Sequence, residues 1–134
     1  MKAGLKARKS GSRPMIRPRV KFWLEINGER AFCPGVCQIL QEIERTGSIK
    51  DAAAAIGRSY RFVWGKLKSV EAALGQPLVE TRVGGSQEKR SVLTEDGRSL
   101  MEEFIQLRQE LFDLMDNQFA TRIARSLPSS ASNL

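Results

Sequence analysis

The spacing of apolar positions changes several times along the chain, and each change marks an element. Val20, Phe22, Leu24 and Ile26 alternate with Lys21, Trp23 and Glu25, the period-two pattern of a strand. Asn27-Gly28 follows, the dipeptide that most favours a two-residue turn. "RVKFWLEINGERAF" therefore predicts a β-hairpin, with Trp23 on the face away from the main apolar set. Pro34 and Gly35 suit a helix entry. Apolar residues at 36, 37, 39, 40 and 43 then have helical spacing and predict a core-facing helix. Thr46-Gly47 closes it, with a glycine free to turn left-handed.

Ser48 caps a second helix over 49–56, with Asp51 three residues on in a near capping box. Its run Ala52 to Ala55 leaves no bulk, so a neighbouring helix can approach closely. Gly57 ends it, and Ser59 is placed to cap a third helix over 60–74. Val63, Leu67, Val70 and Leu74 form one buried stripe of that helix, and Arg61, Gly65, Lys66 and Lys68 lie away from it. Two helices joined by about three residues, the first small-faced and the second basic, form a helix-turn-helix pattern. A plain helical hairpin with solvated charge is the alternative. "QPLVETRVGGSQEKRSVLT" adds a strand at 78–82, a polar loop carrying Lys89 and Arg90, and a strand at 91–93. Directly after a helix-turn-helix, such a hairpin reads as a wing, whose glycines let backbone amides approach phosphates.

Thr94 opens the last helix, with Glu95 and Asp96 at its positive end. Leu100, Phe104, Leu107, Leu111 and Leu114 follow a coiled-coil seam, and Met101, Ile105, Phe112, Met115, Phe119 and Ile123 form a second stripe beside it. Over 94–125 this helix is expected to be about 45–48 Å long. A small domain cannot cover two stripes over that length, so burial against a second copy is expected. Phe104, Leu107, Leu111, Phe112, Met115 and Phe119 are the candidate dimerisation residues of the homodimer. Residues 126–134 read as a disordered tail.

Charge sharpens this division. The chain carries 22 basic and 15 acidic residues among 134, but eight of the basic ones and none of the acidic ones lie in residues 1–21. Residues 1–18 therefore read as a basic, disordered tail that either binds a polyanion or merely solubilises. Residues 19–93 read as one winged helix-turn-helix domain and 94–125 as the long helix. Within the domain, 58–90 is locally basic, whereas 94–125 is locally acidic, so one surface is expected to meet a polyanion and another not.

Several chemistries find no support. There is no histidine, the commonest general base and metal ligand. Cys33 and Cys37 cannot complete a four-ligand zinc site and read as reduced, mostly buried thiols. "VGGS" at 83–86 lacks the lysine and helix start of a phosphate loop. Enzymatic activity is not expected. No window is apolar enough for a membrane span, and no signal-type core follows the basic N-terminus, so a cytoplasmic location without membrane contact is expected.

The chain resembles the N-terminal DNA-binding domain of ModE, the molybdate-responsive transcription regulators. The residues that carry the resemblance are "GSI" at 47–49, "SY" at 59–60 with Trp64, "LVET" at 78–81, "GG" at 84–85 and "LTEDG" at 93–97. LysR-type regulators share a similar skeleton more distantly. The resemblance covers about 19–120 and implies double-stranded DNA binding and dimerisation through the long helix. In that family molybdate is held by C-terminal domains of a separate β fold, and this chain ends before any such segment. No cofactor is therefore expected.

The fold class expected is mostly α with small β hairpins: a winged helix-turn-helix with an N-terminal β-hairpin and a long C-terminal helix. The function expected is sequence-specific binding of a palindromic operator by a dimer, through 59–74 and the wing 82–91. Arg58, Ser59, Tyr60 and Arg61 lie where a recognition helix meets base edges, with Arg58 or Arg61 suited to guanine. Lys66, Lys68, Lys89 and Arg90 suit phosphates, and Trp64 suits packing between recognition helix and wing. The rival readings are a non-specific architectural nucleic-acid binder driven by the basic tail, and a protein-interaction adaptor using the long helix.

Overall fold

The computed structural model describes residues 14–127; of the tails expected over 1–18 and 126–134, the parts 1–13 and 128–134 lie outside the described residues. Asn27 and Gly28 both turn left-handed, at φ 54° and 83°, as a two-residue type I′ turn requires. They join β1, Leu24–Ile26, to antiparallel β2, Glu29–Phe32. The ladder is shorter than the alternation predicts, beginning at Leu24, and its register shifts between Leu24 and Glu25. Trp23 does face outward, with the Arg30 guanidinium 4.6 Å from its ring centre.

Helix α1, Pro34–Thr46, begins on proline, whose missing N–H is one the first turn could not use. It buries Val36, Cys37, Ile39, Leu40 and Ile43. Gly47, at φ 74°, donates its N–H to the Ile43 carbonyl and ends it. Helix α2, Ile49–Ile56, is capped by Ser48 Oγ, which accepts from Asp51 N at 3.0 Å. The reciprocal half of the capping box is replaced. The Ser48 N–H goes to Thr46 Oγ1 instead, at 3.3 Å. Of the four alanines only Ala52 and Ala53 are buried, so half of the run serves close packing. Helix α3, Tyr60–Leu74, starts at Ser59, whose Oγ accepts from Phe62 N at 3.1 Å. Val63, Leu67 and Val70 are buried along it as expected, and Leu74 is half-buried.

β3, Val79–Val83, and β4, Lys89–Leu93, form the second hairpin. Lys89 and Arg90, expected in its loop, are strand residues opposite Val83 and Arg82. The Gly84 N–H bonds the Glu88 carbonyl at 2.9 Å and Gln87 turns left-handed, so a loop of only 84–88 suffices. Three contacts hold this hairpin to the helices. Buried Glu71 accepts from Leu78 N at 2.7 Å and Val79 N at 3.1 Å through one carboxylate oxygen. The Thr94 N–H reaches the Leu78 carbonyl at 2.9 Å, and the Ser91 N–H reaches the Gly47 carbonyl at 2.9 Å. Gly97 lies so close to Leu78 that an added Cβ would collide with the Leu78 carbonyl.

Helix α4, Glu95–Gln118, is capped by Thr94 Oγ1, which accepts from Gly97 N at 3.0 Å. Among the described residues the chain forms two compact units, one from Lys21 to Gln109 and one joining the segment that ends at Val20 to the stretch from Glu110. In the larger unit Met101 and Phe104 enter the core. Phe104 stacks on Phe22 at 4.6 Å and meets Phe32 edge-on at 4.9 Å. Phe104, expected among the dimerisation residues, is therefore buried within the chain by the aromatic rings of the leading hairpin.

In the smaller unit, residues 14–20 do not form the loose tail expected of 1–18. Pro18, Arg19 and Val20 share a cleft with Phe112 and Met115, both half-buried. Arg17, Pro18 and Arg19 share another with Phe119, which is buried. Phe119 is thus also removed from the exposed dimerisation set. The α-helix does not run unbroken to 125: Phe119–Ile123 is a π-turn, followed by α5, Ala124–Ser126. The Ala124 N–H bonds Phe119 O, five residues back. That extra residue rotates the second stripe, so Ala124 is buried where α-helical spacing places Ile123, and Ile123 is exposed.

Candidate nucleic-acid interface

Three residues, Gly57, Arg58 and Ser59, separate α2 from α3. Gly57 turns left-handed at φ 74°, and the Arg58 N–H bonds the Ala53 carbonyl at 3.0 Å, which fixes the angle at which α3 leaves. Because α3 buries the stripe through Val63, Leu67 and Val70, its opposite face turns outward. Arg61, Gly65, Lys68, Ser69 and Ala72 occupy that face, all exposed. Gly65 has open space around its Cβ position, so nothing beside Arg61 obstructs an approaching surface.

The expected site residues divide into free and engaged groups. Tyr60 and Arg61 stand exposed at the start of α3. Ser59 spends one lone pair as N-cap, leaving its hydroxyl proton to donate. The Arg58 guanidinium lies over Phe62, 3.6 Å from the ring centre, and borders a cleft with α1 residues rather than the outer face of α3. Lys66 lies on the same flank, 5.9 Å from that ring. Lys68 is tied to Glu71 at 3.2 Å and sits 5.6 Å from the Trp64 ring. Arg90 lies across the α1–α2 turn, where a Cβ on Gly47 would meet its terminal nitrogen at 2.5 Å. Lys89 is exposed on the wing.

Trp64 departs from expectation. It is 44% exposed rather than packed away, and it borders a groove of about 440 Å³ between the start of α2, α3 and the wing. Lys50, Tyr60, Lys68 and Thr81 line the same groove. Lys50 is a cation that sequence reasoning passed over. Its signal was its place two residues after the α2 cap, where a helix N-terminus and a basic side chain act together on an anion.

The cysteines part company. Cys37 is fully buried, its Sγ 3.9 Å from the Met101 carbonyl, and burial pushes its thiol up, with Arg108 opposing. Burial pushes half-exposed Cys33 up too. The backbone N–H groups of Val36 and Gly35 and the Arg30 guanidinium outweigh it and hold that thiol below its usual value. Among the described residues no cluster of His, Cys, Asp or Glu could hold a metal ion, and no helix is long and apolar enough to cross a membrane.

Residues 36–98 match the bacterial regulatory helix-turn-helix of the lysR family. The molybdenum-pterin-binding protein MopA of Rhodobacter capsulatus is 34% identical over 80 residues, 57% of this chain and 30% of that protein. The molybdenum transport protein ModE of Azotobacter vinelandii is 32% identical over 79 residues, 59% of this chain and 29% of that protein. The alignments span less than a third of these relatives. Full-length LysG of Corynebacterium glutamicum, solved with bound effector Arg, shares the fold at a TM-score of 0.50 and 22% identity, over 66% of this chain and 29% of that one. The matched segment takes in most of α1, the helix-turn-helix, the wing and the first turn of α4.

Proposed function

We propose that this chain is a DNA-binding transcription regulator of ModE type that acts as a dimer on a palindromic operator. The observation that carries the reading is the outward face of α3. Tyr60 and Arg61 are exposed at its N-terminal end, Gly65 leaves the next turn bare, and the wing stands beside it. A recognition helix reads base edges with its N-terminal residues, and a guanidinium can take a guanine with two hydrogen bonds. Arg61 is assigned to base reading. Lys50, Lys66, Lys89 and the Ser59 hydroxyl are assigned to phosphates, with Arg58 joining them after leaving Phe62.

A single recognition helix reads few base pairs, and two of them about 34–36 Å apart read a palindrome. Leu107 and Leu114 are 45% and 56% exposed along α4. With half-buried Leu111 they make the seam through which the second copy is proposed to dock. Phe112 and Met115 are already half-buried, share a cleft with Pro18–Val20, and contribute at most its edge.

The test compares two variants on a set of operator sequences. Arg61→Ala should relax sequence preference and cost roughly 1–3 kcal/mol. Lys89→Ala should weaken all sequences equally and lower the salt slope by about one unit. Two variants that behave alike across the set would refute the division into base and phosphate readers. The eight cations of residues 1–21 favour a second reading, non-specific binding through the N-terminal arm. A protein lacking residues 1–18 would lose most of its affinity under that reading and keep its preferred site under the first.

A further inference from the structure

DNA reading does not account for the cleft behind Arg58. It measures about 180 Å³ and is walled by Val36 and Ile39 of α1, Ile56 of α2 and Phe62 of α3, with Arg58 and Lys66 at its edge. No acidic side chain lines it. Both cations converge on one ring, at 3.6 and 5.9 Å from the centre of Phe62. Both are exposed, so an anion that seats its apolar part in the cleft can reach the two of them from the solvent side. The size points the same way, since an apolar cavity of about 150 Å³ accommodates benzene. Mostly apolar walls with a few convergent polar groups are the composition of a small-molecule site.

We propose that this cleft binds a small monocyclic aromatic carboxylate, the ring against Phe62, Val36, Ile39 and Ile56 and the carboxylate between Arg58 and Lys66. The site touches α1 and both helices of the helix-turn-helix. Resting on the DNA-binding reading above, occupancy withdraws two cations from the phosphates and lowers affinity for DNA. The ligand is thus an anti-binding effector acting within the DNA-binding domain itself.

The experiment uses the full chain, with benzoate as probe and benzyl alcohol as its neutral counterpart. Amide nitrogen–proton NMR should show saturable shifts confined to residues around Val36, Ile39, Ile56 and Phe62, with a dissociation constant on the order of 1 mM for so small a ligand. Benzyl alcohol should bind roughly tenfold more weakly, and Arg58→Gln and Lys66→Gln should each weaken benzoate by a similar factor. The native spectrum of each variant separates lost binding from lost folding. Benzoate should also slow alkylation of Cys33, which lines the cleft. In a second arm, benzoate should weaken DNA binding at fixed ionic strength where acetate does not, and Lys66→Gln should lose that response. Equal binding of both probes, shifts elsewhere, or no saturable shift overturns the site. Binding in the cleft without any effect on DNA affinity overturns the regulatory half. A chain that binds no DNA refutes the earlier reading, while the NMR arm still decides the cleft. An acidic peptide that shifts these amides where benzoate does not would overturn the small-molecule assignment in favour of a protein partner.

Discussion

Replacing Glu71 isolates what holds the wing to the helices. Its carboxylate is buried, and one oxygen takes the N–H groups of Leu78 and Val79 at 2.7 and 3.1 Å while the other meets Lys68 at 3.2 Å. Glu71→Ala leaves two backbone donors without their partner. A hydrogen bond to a charged group is worth about 1.5–3 kcal/mol, and a buried donor left unmatched costs about 1–3. The Leu78 N–H is buried and bears that cost in full, whereas the Val79 N–H is partly open and water can replace some of it. The Lys68 pair is half-exposed on the lysine side and adds at most about 1 kcal/mol. The expected loss is therefore about 2–4 kcal/mol for Glu71→Ala, read as a lower urea midpoint at unchanged slope by circular dichroism. Glu71→Gln keeps an acceptor oxygen for the same N–H groups and should lose only about 1 kcal/mol. Against a typical total of about 5–15 kcal/mol, the alanine variant should still fold. Its affinity for DNA should then fall further than its unfolded fraction explains, because the wing has lost its anchor on α3. If Glu71→Ala costs under about 1 kcal/mol, or Gln costs as much as Ala, the carboxylate does not hold the wing as described.

Phe104→Ala should remove about 3–5 kcal/mol by opening a cavity against Phe22 and Phe32, and the loss should be the same at tenfold different protein concentrations; a concentration-dependent loss in denaturation curves would return Phe104 to a dimer seam. Leu107→Glu with Leu111→Glu should give a folded monomer that binds a palindromic site far more weakly than wild type. Sedimentation at micromolar concentration checks this, and a variant that stays dimeric removes the seam. Iodoacetamide at neutral pH should modify Cys33 well before Cys37 in the native protein, since the Cys33 thiol is held low and partly open while that of Cys37 is raised and buried. Peptide mass spectrometry reads the order, and the reverse order would refute the assignment.

The helix-turn-helix was legible because its signals are local. Ser48, Ser59, Gly47 and Gly57 act within a few residues of themselves, and the stripe through Val63, Leu67 and Val70 has one periodicity. What escaped depended on distant partners. Phe104 and Leu107 belong to one seam by spacing, and only the leading hairpin, far off in sequence, makes one a core residue and leaves the other bare. Ile123 was misplaced because a π-turn shifts phase without any residue that announces it. At the interface, Arg58 and Arg61 read as equivalent cations in sequence. Stacking on Phe62 separates them, and it requires knowing which flank of α3 each one leaves.

The bond from Ser91 N–H to the Gly47 carbonyl has a consequence for hydrogen exchange. A two-stranded hairpin alone is marginal in water, and its amides would exchange quickly as one unit. Here the base of β4 is fastened to the turn between α1 and α2, and Arg90 lies over the same glycine. The Ser91 amide should thus exchange only when α1 and α2 themselves open, at the slow rate of the core. Gly85 and Ser86, at the exposed tip, should exchange within the mixing time. The wing is then two bodies in time, a base that opens with the helices and a tip that opens alone.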